Sequence, residues 1–377
     1  MKLFKSLLVA PATLGLLAPI AATANEVTIS DFTPAEQLAI TNSRVDGLEA
    51  RMNNIEAGSF SETTTASFGL DFYLGSQDDE ESASGAETDA SDDALTFGYS
   101  LGIGLSTSFT GEDALAITLD AGNVSEGVAE LDGNTTGDTL IVDGISYTFP
   151  VGDATVLVGD STDGSALFTT ACAYGGPSAL LDDCGNVNAG ITGGETTIGA
   201  SYDFGNGFTT ATGFQTSSTT SGIFTDESQD AYAFNGAYTA DSYGASITYS
   251  VVENAALTNE DTYTAFNAYY TPDAENFPSI SVGYEIGEIG GAAATEDEKT
   301  SFFVGLTWDE VGPGSAGLAM GHSNTVENVD EAYQYEAYYS YPVNDGMTIT
   351  PLIFTKDVVT AGVDDTTGVM VKTSFSF

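Results

Sequence analysis

Apolar and small polar residues alternate almost without error along LTFGYSLGIGLSTSF, the stretch from Leu95 to Phe109. Leucine, isoleucine and aromatic residues occupy one parity, and glycine, serine and threonine occupy the other. Because successive side chains of a β-strand point to opposite faces, the stretch is predicted to be a strand with one apolar face. The exposed face of a soluble sheet is usually more polar and charged. A face of glycine and serine indicates instead that something passes close to it.

The same period of two recurs as far as the C-terminus, and no sustained helical period follows Ser59. Tyrosines fill the apolar parity of one segment, Tyr333–Tyr341, as they do in the aromatic girdles of membrane barrels. The other alternating segments are Ala66–Leu74, Ile198–Phe204, Tyr243–Val251, Ile280–Ile286, Phe302–Trp308 and Val369–Phe377.

The connections between these segments alternate in length. Short turns such as GNG (205–207) exchange with long, often acidic loops, and the longest loop spans 160–194. This layout is typical of bacterial outer-membrane barrels, whereas a soluble sandwich mixes hairpins with Greek-key connections. We therefore predict an all-β fold over residues 59–377, a transmembrane antiparallel β-barrel of about 16 strands. Such a barrel encloses an aqueous channel, so the apolar face should contact lipid and the small polar face should contact water.

Residues 1–24 have the features of a secretory signal peptide. Lys2 and Lys5 precede an apolar run, and small residues lie before a predicted cleavage site near Ala24. The alternative is an N-terminal membrane anchor, which the shortness of the run and its two prolines disfavour. Export of the chain and the barrel pattern together predict a location in the outer membrane.

Residues 25–58 contain a short linker and a predicted coiled-coil helix. Apolar residues step by three and four, which is the spacing of a heptad seam. The seam positions are Leu38, Val45, Leu48, Met52 and Ile55, with Thr41 as a polar position. Fewer than about three heptads are marginal for an isolated helix, so we predict pairing between identical subunits. The alternative is a helix that lies on the surface of a domain.

The charge balance is strongly acidic, with 55 acidic and 7 basic residues and a formal net charge of −48. Without a basic patch to neutralise phosphates, the chain is not expected to bind nucleic acid. The acidic run QDDEESASGAETDASDD (77–93) is too polar to fold alone and is interpreted as a solvated loop.

The sequence contains no recognisable catalytic or metal-binding constellation. His322 is the only histidine, and DSTDGS (160–165) lacks the spacing and the terminal glutamate of an EF-hand. Acid pairs are so frequent that none can be singled out as the two carboxylates of a glycosidase. We therefore expect no enzymatic activity, no metal site and no cofactor.

Cys172 and Cys184 are the only cysteines, and they lie inside the longest loop. Two cysteines in an exported chain favour a disulfide between them. The alternative is a pair of free thiols.

Several acidic residues share the small polar parity of the predicted strands and are expected to line the channel. They are Asp71, Asp120, Asp203, Glu285 and Glu336, and Lys372 is the only base with this parity inside a predicted strand. Rings of carboxylates favour cations, and acidic loops add a negative potential at the mouth. The channel is therefore predicted to prefer cations. The alternative is that these acids only keep the lumen wet and the surface soluble.

Four stretches between residues 44 and 377 resemble the cyanobacterial outer-membrane porins, a group related to the carbohydrate-selective porin family. They are RVDGLEARMNNIEAGSFSETT, YGGPSALLDDCGNVN, FFVGLTWDEVGPGSAGLAMG and the ending ITPLIF…TGVMVKTSFSF. The resemblance implies a homotrimeric channel for ions and small hydrophilic solutes, and some relatives are called iron uptake porins. It also implies that the loop 160–194 folds into the lumen and constricts it, the alternative being an external loop over the mouth. The terminal Phe377 looks like the signal that barrel-insertion machinery reads.

Two departures from this family limit what the resemblance implies. Members usually carry a surface-layer-homology domain before the coiled coil, and residues 25–37 are too few to form it. Arginine is nearly absent, so sugar selectivity is not carried over. We predict a porin for passive diffusion that prefers cations, with iron, other inorganic ions or carbohydrates as further solutes. The alternative is a secreted or surface-exposed acidic β-rich adhesin or structural protein.

The heptad seam gives a test of assembly. Replacing both Leu48 and Ile55 by aspartate should weaken the trimer, because charges at core positions of a coiled coil oppose its pairing. Thermal dissociation of the trimer in mild detergent, followed by gel migration, measures the effect. A variant trimer that melts at the wild-type temperature would show that the seam plays no part in assembly.

Overall fold

The computed structural model describes residues 64–78, 94–124, 126–131, 133–217, 225, 227–253, 259–274, 276–293, 296–359 and 365–377. The predicted signal peptide and the predicted coiled-coil helix, with its seam residues, lie outside the described residues. Among the residues that are described, no helix is long and apolar enough to cross a membrane.

Sixteen antiparallel strands close into a single barrel in which each strand pairs with its neighbours in sequence, and β1 pairs with β16. The prediction of a barrel of about 16 strands is confirmed. The strands are β1 (Thr64–Asp78), β2 (Thr96–Thr107), β3 (Ala114–Gly122), β4 (Ile141–Val151), β5 (Ala154–Asp160), β6 (Thr196–Gly205), β7 (Phe208–Thr216), β8 (Asp230–Thr239), β9 (Tyr243–Glu253), β10 (Glu260–Tyr270), β11 (Ser279–Glu288), β12 (Glu298–Val311), β13 (Gly314–Val326), β14 (Gln334–Asn344), β15 (Met347–Lys356) and β16 (Thr366–Ser376).

The first and last strands close the barrel through a ladder that extends to the last residue. The backbone amide of Phe68 donates to the carbonyl of Phe377, and the amide of Phe377 donates to the carbonyl of Phe68, each at 3.1 Å. The two rings stack with their centroids 5.7 Å apart. The sheet therefore has no free edge within the barrel.

The two faces of the wall differ in the way that the alternation predicts. On the outward face, Phe97 is 61% exposed and Ile353 is 52% exposed, while their neighbours Gly98 and Phe354 face inward and are buried. Large apolar side chains thus lie on the outside of the barrel. Continuous exposed apolar surface of this kind marks a face that meets something other than water.

Short turns gather at one end of the barrel and long connections at the other. The turn between β4 and β5 has only two residues, Gly152 and Asp153, between paired strand ends. Gly152 has a φ of +64°, which a two-residue hairpin favours at its first central position.

Asp113 organises the turn between β2 and β3. Its carboxylate accepts hydrogen bonds from the backbone amides of Phe109 (2.9 Å) and Thr110 (2.8 Å) and from the hydroxyl groups of Ser108 (2.8 Å) and Tyr147 (2.7 Å). These donors stabilise the charged form of Asp113 and lower its pKa, and the Tyr147 hydroxyl has the largest effect.

This turn gives a pH-dependent contribution to stability. Because the folded-state pKa is lowered, the contribution is complete above the ordinary aspartate pKa of about 3.9 and is lost as the pH falls through the folded pKa. Asp113→Asn should therefore unfold more easily at neutral pH, and the gap to wild type should narrow in acid. Denaturation of the detergent-solubilised barrel at several pH values measures this, with Asp153→Asn in the neighbouring turn as the matched control. Equal stability of Asp113→Asn and wild type at neutral pH would contradict it.

Candidate functional site inside the barrel

The connection between β5 and β6, residues 161–195, folds against the inner wall of the barrel, and we call it the inner loop. Its outgoing leg crosses from β7 to β11 and donates backbone amides to side chains of β7, β8, β9 and β11. The pairs are Gly164–Gln215 (2.9 Å), Thr169–Asn235 (3.1 Å), Ala171–Ser246 (2.9 Å) and Ala173–Ser281 (2.8 Å). Neutral side chains of the wall thus satisfy the backbone of a segment that has no sheet of its own.

The return leg follows the same wall back toward β6. The side chain of Asn267 on β10 donates to the carbonyl oxygen of Cys184 (2.8 Å). Glycine at 283 on β11 permits this approach, because a Cβ at that position would overlap the same carbonyl group. At the base of the loop, the amide of Ser165 donates to the carbonyl oxygen of Ile191 (3.1 Å), so the two legs run side by side.

A disulfide joins Cys172 on the outgoing leg to Cys184 on the return leg, with their Cα atoms 6.5 Å apart. The bond closes off residues 173–183 as the tip of the inner loop. No free cysteine is present among the described residues.

Two buried glutamates of the wall hold the inner loop. Glu285 on β11 is 1% exposed, and Glu336 on β14 is 4% exposed. Glu285 accepts three hydrogen bonds from the return leg, two from Asn188 and one from the amide of Ala189. Glu336 accepts hydrogen bonds from two hydroxyl groups of the tip, those of Tyr174 and Ser178.

The Tyr174 hydroxyl stays protonated and is therefore able to donate. Burial, together with the neighbouring charge of Glu336, raises the pKa of this phenol well above its usual range. The hydroxyl group of Tyr338 adds a further bond to the tip, donating to the carbonyl oxygen of Gly175 (2.9 Å).

The connection between β3 and β4 also enters the barrel, through a 3₁₀ segment, Glu126–Leu131. Its Val128 and Leu131 are fully buried. The carbonyl oxygen of Glu130 accepts a hydrogen bond from the amide of Ala179 (2.9 Å), and its carboxylate pairs with Lys356 (3.0 Å). The 3₁₀ segment therefore meets the tip of the inner loop.

Apolar side chains of the two segments and of the wall form one cluster within the barrel. Its members are Tyr73, Val124, Val128, Leu131, Tyr174, Leu180, Leu181, Cys184, Phe303, Ala319, Tyr338, Leu352, Phe354 and Met370. The wall residues among them come from β1 and from β12 to β16. This part of the interior is therefore packed with protein.

The inner face of β2 to β5 consists mostly of small residues, with Asp120 on β3 and Leu157 on β5 as larger members. Examples are Ser100, Gly102, Thr118, Gly144 and Ser146. A polar cavity of about 490 Å³ lies between β3, β4 and the base of the inner loop, and three acids, Asp143, Asp163 and Glu195, contribute to its lining.

A second cavity, of about 340 Å³, lies between the tip and strands β13 to β16. Its lining includes Lys372 and several hydroxyl groups, such as those of Ser340 and Thr350. The cavities thus differ in charge, since the first is acidic and the second contains one ammonium group.

The six residues that the sequence assigns to the channel lie in different surroundings. Asp71 pairs with Lys372 at 3.3 Å, and the ammonium group lies 5.6 Å from the centre of the Tyr73 ring. Asp120 lies opposite Gly102 on the inner face of β3.

The other three acids are separated from this group. Asp203 is exposed near the end of β6, where it accepts a hydrogen bond from the amide of Gly205 (2.8 Å). Glu285 and Glu336 face inward beneath the inner loop. The five carboxylates therefore do not form a single ring.

Sequence reasoning missed the 3₁₀ segment and the partners of the two buried glutamates. The segment had a weak signal, because Val128 and Leu131 are apolar residues in an otherwise polar loop. Asn188 had none, since its partner Glu285 is distant in sequence and no local pattern connects them. Within the described part of the chain, no group of three or more His, Cys, Asp or Glu side chains is able to hold a metal ion.

Comparison with known proteins shows the fold. No family model matches the sequence, and no curated protein matches it. Among solved structures, the chain is similar to OprB of Pseudomonas putida, with 11% identity, a TM-score of 0.55 and coverage of 84% of this chain and 94% of that one. A mutant of the Rh. blastica porin has 11% identity and a TM-score of 0.55, covering 83% of this chain and 100% of that chain. A loop-deletion mutant of OmpT, an outer membrane protein of Vibrio cholerae, has 10% identity and a TM-score of 0.56, covering 84% and 100%.

The contact between the 3₁₀ segment and the inner loop can be tested by removing its apolar anchor. Leu131→Ala should weaken the packing locally, since truncating a buried leucine costs about 2–5 kcal/mol. We expect the amide of Ala179 to exchange with deuterium faster than in wild type while the strands are unchanged. Leu140→Ala, at a leucine that is 53% exposed, is the matched control. Unchanged exchange at Ala179 would show that the segment does not hold the tip.

Proposed function

We propose that the protein is an outer-membrane porin through which ions and small hydrophilic solutes diffuse passively, with a preference for cations. One observation carries the proposal. A long connection is hydrogen-bonded along the inner wall of a closed barrel whose outer face is apolar and exposed. If protein side chains filled the whole interior, the wall that the inner loop does not cover would not need small polar residues.

The outer face supports the membrane part of the proposal. Phe234 is 53% exposed, Phe266 50% and Val369 58%, and all three are outward-facing strand residues. Aromatic residues also lie close to the short turns, among them Phe204, Phe208 and Tyr243. An apolar band with aromatic residues at its rim is the surface that a lipid bilayer requires.

The interior supports a narrow aqueous path. The legs of the inner loop lie along β7 to β11, and its tip and the 3₁₀ segment occupy the side of the barrel formed by β12 to β1. The inner face of β2 to β5, which consists mostly of small residues, is left for water. A path bounded on one side by glycine, serine and threonine and on the other by the inner loop suits small hydrated solutes. In this proposal the inner loop is the constriction.

The charges support a preference for cations. Both ion pairs among the described residues involve lysine, Lys356 with Glu130 and Lys372 with Asp71, so these two bases are balanced by acids. The cavity at the base of the inner loop is lined by three acids and no base. A negative lining raises the local concentration of cations and lowers that of anions.

Other parts of the proposal rest on the sequence. They are a cleaved signal peptide, a homotrimer held in part by the coiled-coil seam, and recognition of Phe377 by insertion machinery. Hydrated metal cations, iron included, belong to the solutes that an acidic path would admit. The similarity in fold to the Rh. blastica porin and to OmpT, an outer membrane protein, supports this class of protein.

Planar-bilayer recordings of the full chain test the proposal. Wild type should open channels whose reversal potential in a dilute potassium chloride gradient shows cation preference. Replacing Asp163 by asparagine together with Glu195 by glutamine should lower the potassium-to-chloride permeability ratio by roughly twofold or more. The reason is that two unit charges 4 Å apart interact by about 1 kcal/mol in water, so each carboxylate attracts a passing cation by an energy of this order. Asp345→Asn, in a short turn, is the control and should change nothing.

Two results would overturn the proposal. A pure protein that never opens channels would exclude a porin, and anion preference in dilute salt would exclude the acidic path. Deleting residues 174–181 should raise single-channel conductance, because it removes most of the tip. Unchanged conductance would place the constriction elsewhere.

A further inference from the structure

We propose that Glu285 and Glu336 are positioning residues, whose carboxylates hold the inner loop in place through the hydrogen bonds that they accept from it. The inference rests on the proposed function, because it concerns the loop that would constrict the channel. It differs from the sequence-based hypothesis, in which the same two acids attract cations in the lumen.

Both carboxylate oxygens of Glu285 accept hydrogen bonds from the return leg. One carboxylate oxygen accepts the side-chain amide of Asn188 (2.7 Å), and the other accepts the backbone amides of Asn188 and Ala189 (2.8 Å each). The side-chain amide of Asn188 also donates to Asn324 of β13 (2.8 Å). The return leg is thereby fixed to β11 and β13 at one point.

The groups around Glu285 are mostly neutral. On the inner face, Ser301 of β12 lies directly opposite it, and Lys299 lies two residues away on the same strand. From β10, Tyr263 packs nearby and donates its hydroxyl to Asp261 (3.2 Å). Glu285 forms no ion pair with any base among the residues that the structure describes, so loop donors supply the contacts to its charge.

Glu336 binds the tip in the same manner. Hydroxyl groups of Tyr174 and Ser178 donate to its two oxygens, one to each. A Cβ at Gly176 would overlap the carboxylate, so the tip lies directly against it. The contact needs glycine at this position for steric reasons.

The surroundings of Glu336 are largely apolar. Its cross-strand neighbours on the inner face are Ala319 of β13 and Phe354 of β15. Asp182 of the tip acts on it electrostatically, and Lys356, two residues beyond Phe354, is already paired with the 3₁₀ segment. Nothing but the tip's hydroxyl groups satisfies this buried charge among the described hydrogen bonds.

The charge, and not only the shape, is what these contacts require. An ionised carboxylate accepts on both oxygens, whereas a protonated carboxyl or an amide turns one acceptor into a donor. At Glu285 that donor would face the donors of the return leg, and at least one buried N–H would lose its partner. An unsatisfied buried donor is costly, so an amide in place of this carboxylate favours a state in which the loop leaves the wall.

The two contacts act on one mechanical unit. Glu285 holds the return leg and Glu336 holds the tip, while the disulfide connects the legs between them. Loss of one contact therefore loosens the loop partly, and loss of both should free the tip more than the sum of the single losses.

Single-channel recordings of the full chain distinguish positioning from ion attraction. The variants are Glu285→Gln, Glu285→Ala, Glu336→Gln and the double variant with glutamine at both positions. Because a hydrogen bond to a charged group is worth about a tenfold change in equilibrium, Glu285→Gln should spend roughly tenfold more time in a wider, noisier state at neutral pH. Glu336→Gln should have a smaller effect, because the hydroxyl groups of Tyr174 and Ser178 are able to accept from the new amide. Glu285→Ala should have a larger effect than Glu285→Gln, since glutamine keeps one acceptor.

The double glutamine variant is the second readout. At neutral pH it should occupy the wider state more than the two single glutamine variants together predict. Asp203→Asn is the matched control, because Asp203 faces inward on β6 and bonds only within its own turn among the described contacts. It should leave the wider state at its wild-type population.

The outcomes separate the inference from the function on which it rests. If wild type opens no channels, the proposed function fails first. If wild type conducts and the glutamine variants shift the reversal potential toward chloride with unchanged conductance and noise, the two acids attract ions and the inference is overturned. Conducting variants with wild-type conductance and noise would overturn it as well. A rise in the wider state at constant selectivity supports it.

Discussion

The interior of this barrel depends on one requirement: the inner loop must find hydrogen-bond partners for a backbone that has no sheet of its own. Connections of this length usually run over a surface, where water supplies those partners. Here the wall supplies them instead, through Gln215, Asn235, Ser246 and Ser281 for the outgoing leg and Glu285 for the return leg. These polar residues of β7 to β11 therefore serve mainly to bind the inner loop and only secondarily to contact solvent.

The opposite side of the interior uses apolar packing. Val128 and Leu131 of the 3₁₀ segment and Leu180 and Leu181 of the tip share a cluster with inward residues of β12 to β16. Polar anchoring fixes where the inner loop lies, and apolar packing removes water from the region behind it. The two kinds of contact meet at the tip, where Glu336 is buried beside Phe354 and accepts from the hydroxyl groups of the loop. A buried carboxylate in such a place fixes the position of the tip, because loss of one of its donors would leave buried charge without a partner.

The wall could be predicted from the sequence, whereas the contacts inside the barrel could not. A strand that faces an apolar medium on one side and small polar groups on the other must alternate, so stretches such as Leu95–Phe109 reveal both faces. The alternation of short and long connections gives the strand count. The loops carry no such period, and contacts such as Asn188 with Glu285 join residues far apart in sequence. Parity predicts an inward position for Glu285 and Glu336, but only the path of the inner loop decides what covers them.

The pairing of β1 with β16 has a consequence for how the barrel is made. Every other pair of neighbouring strands is consecutive in the chain, whereas these two strands are the most distant in sequence and pair with each other from Asp78 and Thr367 to Phe68 and Phe377. Contacts between such distant residues carry the largest loop-closure entropy in the molecule. Until these contacts form, the sheet has two unpaired edges and an apolar outer surface, and both favour self-association. Pairing of β16 with β1 is thus the step at which an aggregation-prone open sheet becomes a closed barrel.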